Sequence, residues 1–299
     1  MTRCLVIFTL ILAVGLTTGC SYLQKKDEPP PLPPIEEPKP PLKMKSDYFN
    51  SYPWDELSKP LKPGDPDTWT YTLKEGDTLE SVAEKQMGDP AMSDRLAAQN
   101  ELPSPSSAVP GDKIVIPYPI IAVSSKIMVK HKGEKEFGAP EPFGVAFQKG
   151  DEYKLRFEAN VNGHLYVFRK GVKEVVFLYP SYAKPPKPKP KPRRGQQPQP
   201  PRMLESGKVK KHEAVEIPLG TKGFTYDPKK VGDELVVFLS LKEIPSLEEL
   251  KEKKTVRVED LEDVMRRVKE GQVYAEPPYH MLRISDPGEV LGFTLHIDG

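Results

Sequence analysis

The residues best able to do covalent or metal chemistry are few and scattered. The five histidines, His131, His164, His212, His280 and His296, lie far apart in the chain, whereas a zinc hydrolase needs them clustered. The stretch "HEAVE" from 212 falls short of His-Glu-x-x-His, because Glu216 stands where the second histidine belongs. No Gly-x-Ser-x-Gly nucleophile turn occurs. Both cysteines, Cys4 and Cys20, fall within the first twenty residues, which excludes a disulfide framework. Paired glycosidase carboxylates have no fixed sequence spacing, and among 43 acidic residues a lone Glu carries no weight. The expectation is a protein that is not an enzyme, with no catalytic residue, metal or cofactor. One short stretch does suggest binding chemistry. In "YTLKEGDTLESVAEKQMGD", residues 71–89, Gly76-Asp77-Thr78 stands between a strand-like and a helix-like run.

The elements around that stretch must position it. Thr70 to Leu73 is short and β-prone, and Gly76 allows a tight turn. Asp77 or Thr78 can cap a helix, and Asp77 with Glu80 has capping-box spacing. Leu79, Val82, Ala83 and Gln86 recur at helical spacing. Gly88-Asp89-Pro90 stops that helix, and a second one fits Ser93 to Gln99, with Met92, Leu96 and Ala97 inward. "PGDKIVIP" then gives a turn and a strand, Ile114 to Ile116, that can pair with the first.

This β-α-α-β unit resembles a LysM module, the peptidoglycan- and chitin-binding family, over residues 70–118. The resemblance rests on "YTLKEGDTLESVA", "LAAQNEL" and "VPGDKIVIP" at ungapped spacing. It implies a shallow groove between two loops that takes N-acetylglucosamine-containing glycans. The implied glycan-binding residues are Gly76, Asp77, Thr78 and Leu79 in one loop, with Leu102, Pro103, Ser104, Ala108 and Val109 in the other. Backbone N–H and C=O groups can satisfy the N-acetyl amide, while Leu79 or Leu102 meets its methyl. Each residue also has a plainer reading: Asp77 as a helix cap, Leu79 as core, Asn100 as a bond to local backbone. Ala108 and Met87 depart from the family, where a larger apolar residue and an aromatic are common.

The rest of the chain frames this unit. The 299 residues suffice for two modest domains plus linkers. With 44 Lys+Arg against 43 Asp+Glu, the net charge of +1 gives no pointer to nucleic acid. "MTRCLVIFTLILAVGLTTGCS" has the layout of a secretory signal: Arg3, an apolar run from Cys4 to Leu16, then small residues. Leu16 to Cys20 resembles the bacterial lipoprotein signal, in which cleavage precedes the cysteine and its sulfur is acylated. Residues 1–19 are then a signal peptide and Cys20 a lipidation site. An ordinary signal peptide cut near Gly19 is the alternative. Ser21, in place of Asp, resembles the outer-membrane sorting pattern, so the expected location is an outer-membrane anchor facing the periplasm.

Residues 20–66 hold "PPPLPPIEEPKPP", which cannot form a helix or an interior strand. They read as a disordered or polyproline II tether reaching at most roughly 150 Å. Tyr48, Phe49, Tyr52 and Trp54 interrupt it, either docking on a folded domain or binding a partner.

Residues 119–299 alternate like strands: Phe143, Val145 and Phe147, then Tyr153, Leu155, Phe157 and Ala159. "VVFLYP", "HEAVEIPLG", "DELVVFLSL", "YHMLRIS" and "VLGFTLHI" continue the pattern. Two short helices fit Ser246 to Lys253 and Glu259 to Glu270, with Gly271 as a C-cap. "FQKGDEYKLRFEANVNGHLYVF" and "FTYDPKKVGDELVVFLS" resemble a bacterial domain family of unassigned function, which adds a fold expectation only. A Lys/Pro-rich insertion, 181–203, holds seven basic residues and no acidic one. It reads as a surface loop, solvated or touching anionic surfaces.

The expected fold is α+β and multidomain: a tether, a small βααβ module at 67–118, and a mainly antiparallel β-sandwich at 119–299 with two short helices. The expected partners are peptidoglycan glycan strands, a membrane through the lipid anchor, and an envelope protein at the β domain. The leading reading is a non-catalytic link from membrane to wall. The alternatives are an accessory lipoprotein of a secretion or motility assembly, and a wall hydrolase.

Overall fold

In the computed structural model, a small two-stranded module is followed along the chain by two larger antiparallel sheets. The structure describes residues 44–50, 56–57, 60–172, 174–180, 207–228, 234–252, 256–268, 272–273 and 279–297. The signal segment, Cys20, most of the tether, Tyr52, Trp54, the 181–203 insertion and Gly271 lie outside them.

Thirteen strands and four α-helices are described. β1 (Thr68–Thr72) and β2 (Lys113–Pro117) pair antiparallel, with α1 (Leu79–Met87) and α2 (Ser93–Gln99) between them in the chain. Their core is Leu73, Leu79, Val82, Met87, Leu96, Ala97, Ile114 and Ile116. The β-α-α-β order and the span of α2 are as the sequence suggests.

Two larger antiparallel sheets follow. One contains β3 (Ile120–Lys130), β4 (Glu152–Ala159), β8 (Ala214–Ile217), β9 (Phe224–Thr225), β11 (Gln272–Val273) and β12 (Tyr279–Arg283). Its main path runs β11-β12-β3-β4-β8. The other runs β13-β10-β5-β6, with β7 (Lys208–Val209) beside β5. Its members are β5 (Gly163–Lys170), β6 (Val175–Tyr179), β10 (Glu234–Ser240) and β13 (Val290–His296). The inward residues of both sheets share one core, including Ile121, Val123, Leu155, Phe157, Val167, Val237, Leu291 and Phe293. Alternate side chains of a strand face opposite ways, so Tyr166, Phe168, Val236 and Phe238 point outward from the second sheet. There they meet α3 (Pro245–Glu252) and α4 (Val258–Arg267) through Leu247, Leu250, Leu261 and Val264. The Tyr166 hydroxyl donates to Glu248 at 2.6 Å, and burial first, then that bond, pushes its pKa up. β10 is covered on both faces, which is why Leu235 to Leu239 is apolar without alternation.

Four expectations need correction. Phe143, Val145 and Phe147 form no strand: Gly144 sits at φ +107° and interrupts extended backbone, and the three side chains lie against the inter-sheet core. β3, the longest strand, is absent from the sequence reading, because its apolar start Ile120-Ile121-Ala122-Val123 carries no alternation. α4 ends at Arg267, and its C-cap is Val268, three residues before Gly271, where the backbone turns extended. The tether is shorter than residues 20–66: Leu61 is buried and its N–H donates to the Gln99 carbonyl at 2.8 Å. Tyr48 and Phe49, in a 3-10 turn (Ser46–Phe49), pack on Ile120, Ala122 and Met281 on the outer face of β3 and β12. Phe49 also meets the Tyr279 ring at 4.8 Å.

Only Tyr118 and Pro119 separate β2 from β3. The small module therefore abuts the first sheet of the sandwich, and specific contacts hold the seam. Gly88 closes α1 in the left-handed region at φ +73°, and its carbonyl accepts from Asn162 N–H at 2.7 Å. A Cβ on Gly88 would stand 2.7 Å from side-chain carbons of Leu241 and Val161. Asp89 pairs with Lys211 at 2.6 Å and Asp67 with Arg283 at 3.1 Å.

Phe49 tests the revised boundary. Phe49→Ala should destabilise the folded unit by about 3–5 kcal/mol, the usual cost of deleting a buried aromatic ring. Urea unfolding of the full chain measures it. A change within about 0.5 kcal/mol, as at a surface position, would return Phe49 to the tether.

Candidate functional site

The Gly76-Asp77-Thr78 stretch does more than turn the chain. Lys74-Glu75-Gly76-Asp77 is a β-turn: Asp77 N–H donates to the Lys74 carbonyl at 3.1 Å. Gly76 takes φ +83°, the left-handed value that the third position of a type II turn requires. The Asp77 carboxylate folds back over the turn and accepts from Lys74 N–H at 3.0 Å and Tyr71 O–H at 2.8 Å. Lys85 stands 3.4 Å from its other oxygen. The Lys74 N–H first, then the Tyr71 hydroxyl, hold the Asp77 pKa below its ordinary value of 3.8. The bond to Asp77 raises that of Tyr71.

The expected Asp77–Glu80 capping box is shifted by one residue. Thr78 is the N-cap: its hydroxyl accepts from Ser81 N–H, and the Ser81 hydroxyl accepts from Thr78 N–H, both at 3.1 Å. Asp77 is committed to its turn and is unavailable for that role.

The second loop repeats the device. In Val109-Pro110-Gly111-Asp112, Gly111 takes φ +96°, Asp112 N–H donates to the Val109 carbonyl at 3.1 Å, and the Asp112 carboxylate accepts from Val109 N–H at 2.9 Å. The two turns are neighbours, because Gly111 N–H donates to the Leu73 carbonyl and Leu73 N–H to the Asp112 carbonyl, both at 2.9 Å. A 3-10 turn, Pro105–Ser107, completes the loop, and the Ser104 hydroxyl bonds those of Ser106 and Ser107 at 2.9 and 3.0 Å.

The residues implied as glycan ligands therefore separate into three groups. Gly76, Thr78, Pro103 and Val109 are exposed, and Val109, at 55%, is one of the few large apolar residues left in solvent among the described residues. Asp77, Leu102, Ser104 and Ala108 are half-buried, with Leu102 and Ala108 touching the module core. Leu79 is fully buried, so its side chain belongs to the module core and is not open to a ligand. Asn100 bonds backbone: its amide donates to the carbonyls of Leu96 and Val115 and accepts from Val115 N–H, which ties α2 to β2. The pairing of the two Gly-Asp turns was not anticipated as one structure, although "EGD" and "PGD" stand in the sequence.

The histidines remain apart. His131 Nδ1 lies 2.9 Å from the buried Asp151 carboxylate, and that bond raises the His131 pKa. His212 faces Glu158 at 3.2 Å. His280 stacks on Phe293 at 3.8 Å, and burial lowers its pKa to about 4. Among the described residues, no three His, Cys, Asp or Glu side chains come together as a metal site.

Because folding lowers the Asp77 pKa, its contribution to stability is complete above the unfolded value of 3.8 and is lost as pH falls through the lowered folded value. Asp77→Asn should flatten the acid limb of the stability–pH curve. Thr78→Ala should instead lower stability by about 0.5–2 kcal/mol at every pH. Thermal unfolding between pH 2 and pH 7 separates the two, and an unchanged acid limb in Asp77→Asn would rule out the turn's carboxylate as a titrating support.

Residues 71–117 match the family model described as LysM domain. No curated protein and no solved structure matches the chain. The match runs from the end of β1 through β2 with both Gly-Asp turns inside it, and it supports a module that binds N-acetylglucosamine-containing peptidoglycan strands.

Proposed function

We propose that this chain is a non-catalytic envelope lipoprotein that links a membrane to the cell wall. Cleavage before Cys20 and acylation of its sulfur supply the anchor, on an outer membrane and facing the periplasm. The module at 71–117 grips the glycan strand between the turn at 74–78 and the loop at 101–109. The observation that carries this reading is the pair of adjoining Gly-Asp turns inside the LysM match. They leave Gly76, Thr78 and Val109 open to solvent at one end of a two-stranded ladder. Rigid backbone turns suit an N-acetyl group, which offers one donor, one acceptor and a methyl, because little order is lost on binding. One small module offers little contact area, and a tether offsets this by raising the effective concentration of the wall. The sandwich is then the surface for an envelope protein.

Sedimentation of the full chain with purified peptidoglycan tests this. Wild type should pellet. Gly76→Trp and Val109→Asp, each checked for folding, should weaken binding by roughly tenfold or more, about 1.4 kcal/mol. A wild-type chain that stays in the supernatant would remove the glycan reading. Labelled palmitate fed to expressing cells should enter wild type and not Cys20→Ser. Equal labelling would remove the anchor.

A further inference from the structure

The seam between the glycan module and the sandwich is not filled. A cleft of about 230 Å³ opens along it. Its walls are apolar over most of their area: Phe49 from the N-terminal turn, Met87 and Met92 from the module, and Val161 from the sandwich. Its polar end is Asp89 facing Lys211. Of the other polar side chains at its edge, Asn50 is exposed, and Asn160 and Tyr48 are committed. Asn160 accepts from Ala122 N–H at 2.7 Å and donates to the Ile120 carbonyl at 2.8 Å. Tyr48 O–H donates to Glu56 at 2.9 Å.

Asp89 and Lys211 are not saturated by each other. One Asp89 oxygen accepts from Ala91 N–H at 3.0 Å and the other from Lys211 at 2.6 Å. A carboxylate has about four lone-pair sites and an ammonium three protons, so both keep capacity. The Lys211 side chain is still 32% exposed. The cleft thus presents a negative and a positive group side by side at the end of an apolar trough. The complementary ligand carries a free ammonium near a free carboxylate on a small aliphatic body. Such a group adds to the pair without breaking it, its carboxylate on Lys211 and its ammonium on Asp89, so that the four charges alternate. The cleft is smaller than the roughly 300–1,000 Å³ of pockets for drug-sized ligands, which suits one or two peptide residues.

α1 connects this cleft to the sugar-facing turns. It starts after Thr78 and ends at Met87. Its nine residues, at about 1.5 Å each, cover about 13 Å. Four extended peptide residues cover roughly the same length, at about 3.3–3.6 Å each. We propose that the cleft takes the peptide stem carried by the wall polymer whose sugar the Gly-Asp turns bind, holding its zwitterionic end between Asp89 and Lys211. This rests on the peptidoglycan reading above.

The test uses the full chain with labelled methionine methyls, so that Met87 and Met92 report on the cleft. The probes are a tetramer of N-acetylglucosamine, a free stem tetrapeptide containing diaminopimelate, and a disaccharide muropeptide bearing that tetrapeptide. The free tetrapeptide should shift both methyl resonances. The muropeptide should bind at least about fivefold tighter than the bare sugar, because the second contact is made intramolecularly. Met92→Phe, which fills the trough and leaves the ion pair in place, and Lys211→Met should abolish that gain and keep sugar binding. Methyls unmoved by the tetrapeptide, with muropeptide and sugar bound equally, would overturn the proposal. Sugar that fails to bind while the tetrapeptide still moves the methyls would remove the glycan reading and support the cleft. An advantage of the muropeptide that survives in Met92→Phe would place the peptide elsewhere and also overturn it.

Discussion

The two-residue connection between β2 and β3 constrains the rest of this structure. Tyr118 and Pro119 are too few to let the small module swing clear, so its flank must meet the sandwich. Each neighbouring feature answers that demand. Gly88 is glycine for two reasons at once, a left-handed backbone and a lack of room for any side-chain atom. Asn162 supplies the N–H that the Gly88 carbonyl would otherwise lack. Asp89–Lys211 and Asp67–Arg283 bring opposite charges across the seam, where partial burial makes them stronger than pairs in open water. Tyr48 and Phe49 cover apolar surface of β3 and β12 beside the seam.

The module itself depends on a different economy. Its core is small, so its shape rests on local hydrogen bonds as much as on buried area. Asp77 and Asp112 each close a four-residue turn by the same pair of bonds, and the bonds through Leu73 lock one turn to the other. Donors and acceptors at the turn tips are thereby held in place before any ligand arrives. That arrangement suits a ligand recognised through amide geometry more than through charge.

Much of this was legible in the sequence where local chemistry decides the outcome. The α2 span, the Gly76 turn and the β1–β2 pairing follow from periodicity and turn residues within about twenty positions. The misses share one physical cause: burial by a distant partner. β3 reads as an unpatterned apolar run because Tyr48 and Phe49 cover its outer face while the second sheet covers its inner one. Residues 143–147 alternate like a strand, yet Gly144 and contacts to the core give them another path. At the site, the exposed turn residues were legible. Leu79 could not be assigned between core and ligand until its neighbours were known, and the Asp77 cap lost to Thr78 because Tyr71 and Lys74 claim the carboxylate first.

The docking of Phe49 also has a mechanical side. Tension applied to the chain ahead of Met44 is met first by the Tyr48 and Phe49 rings wedged on β3 and β12. β3 and the short connection join that docking point to β2 and the paired Gly-Asp turns. β10, β13 and the two helices stacked on them lie off that line. Load carried along that line need not pass through them.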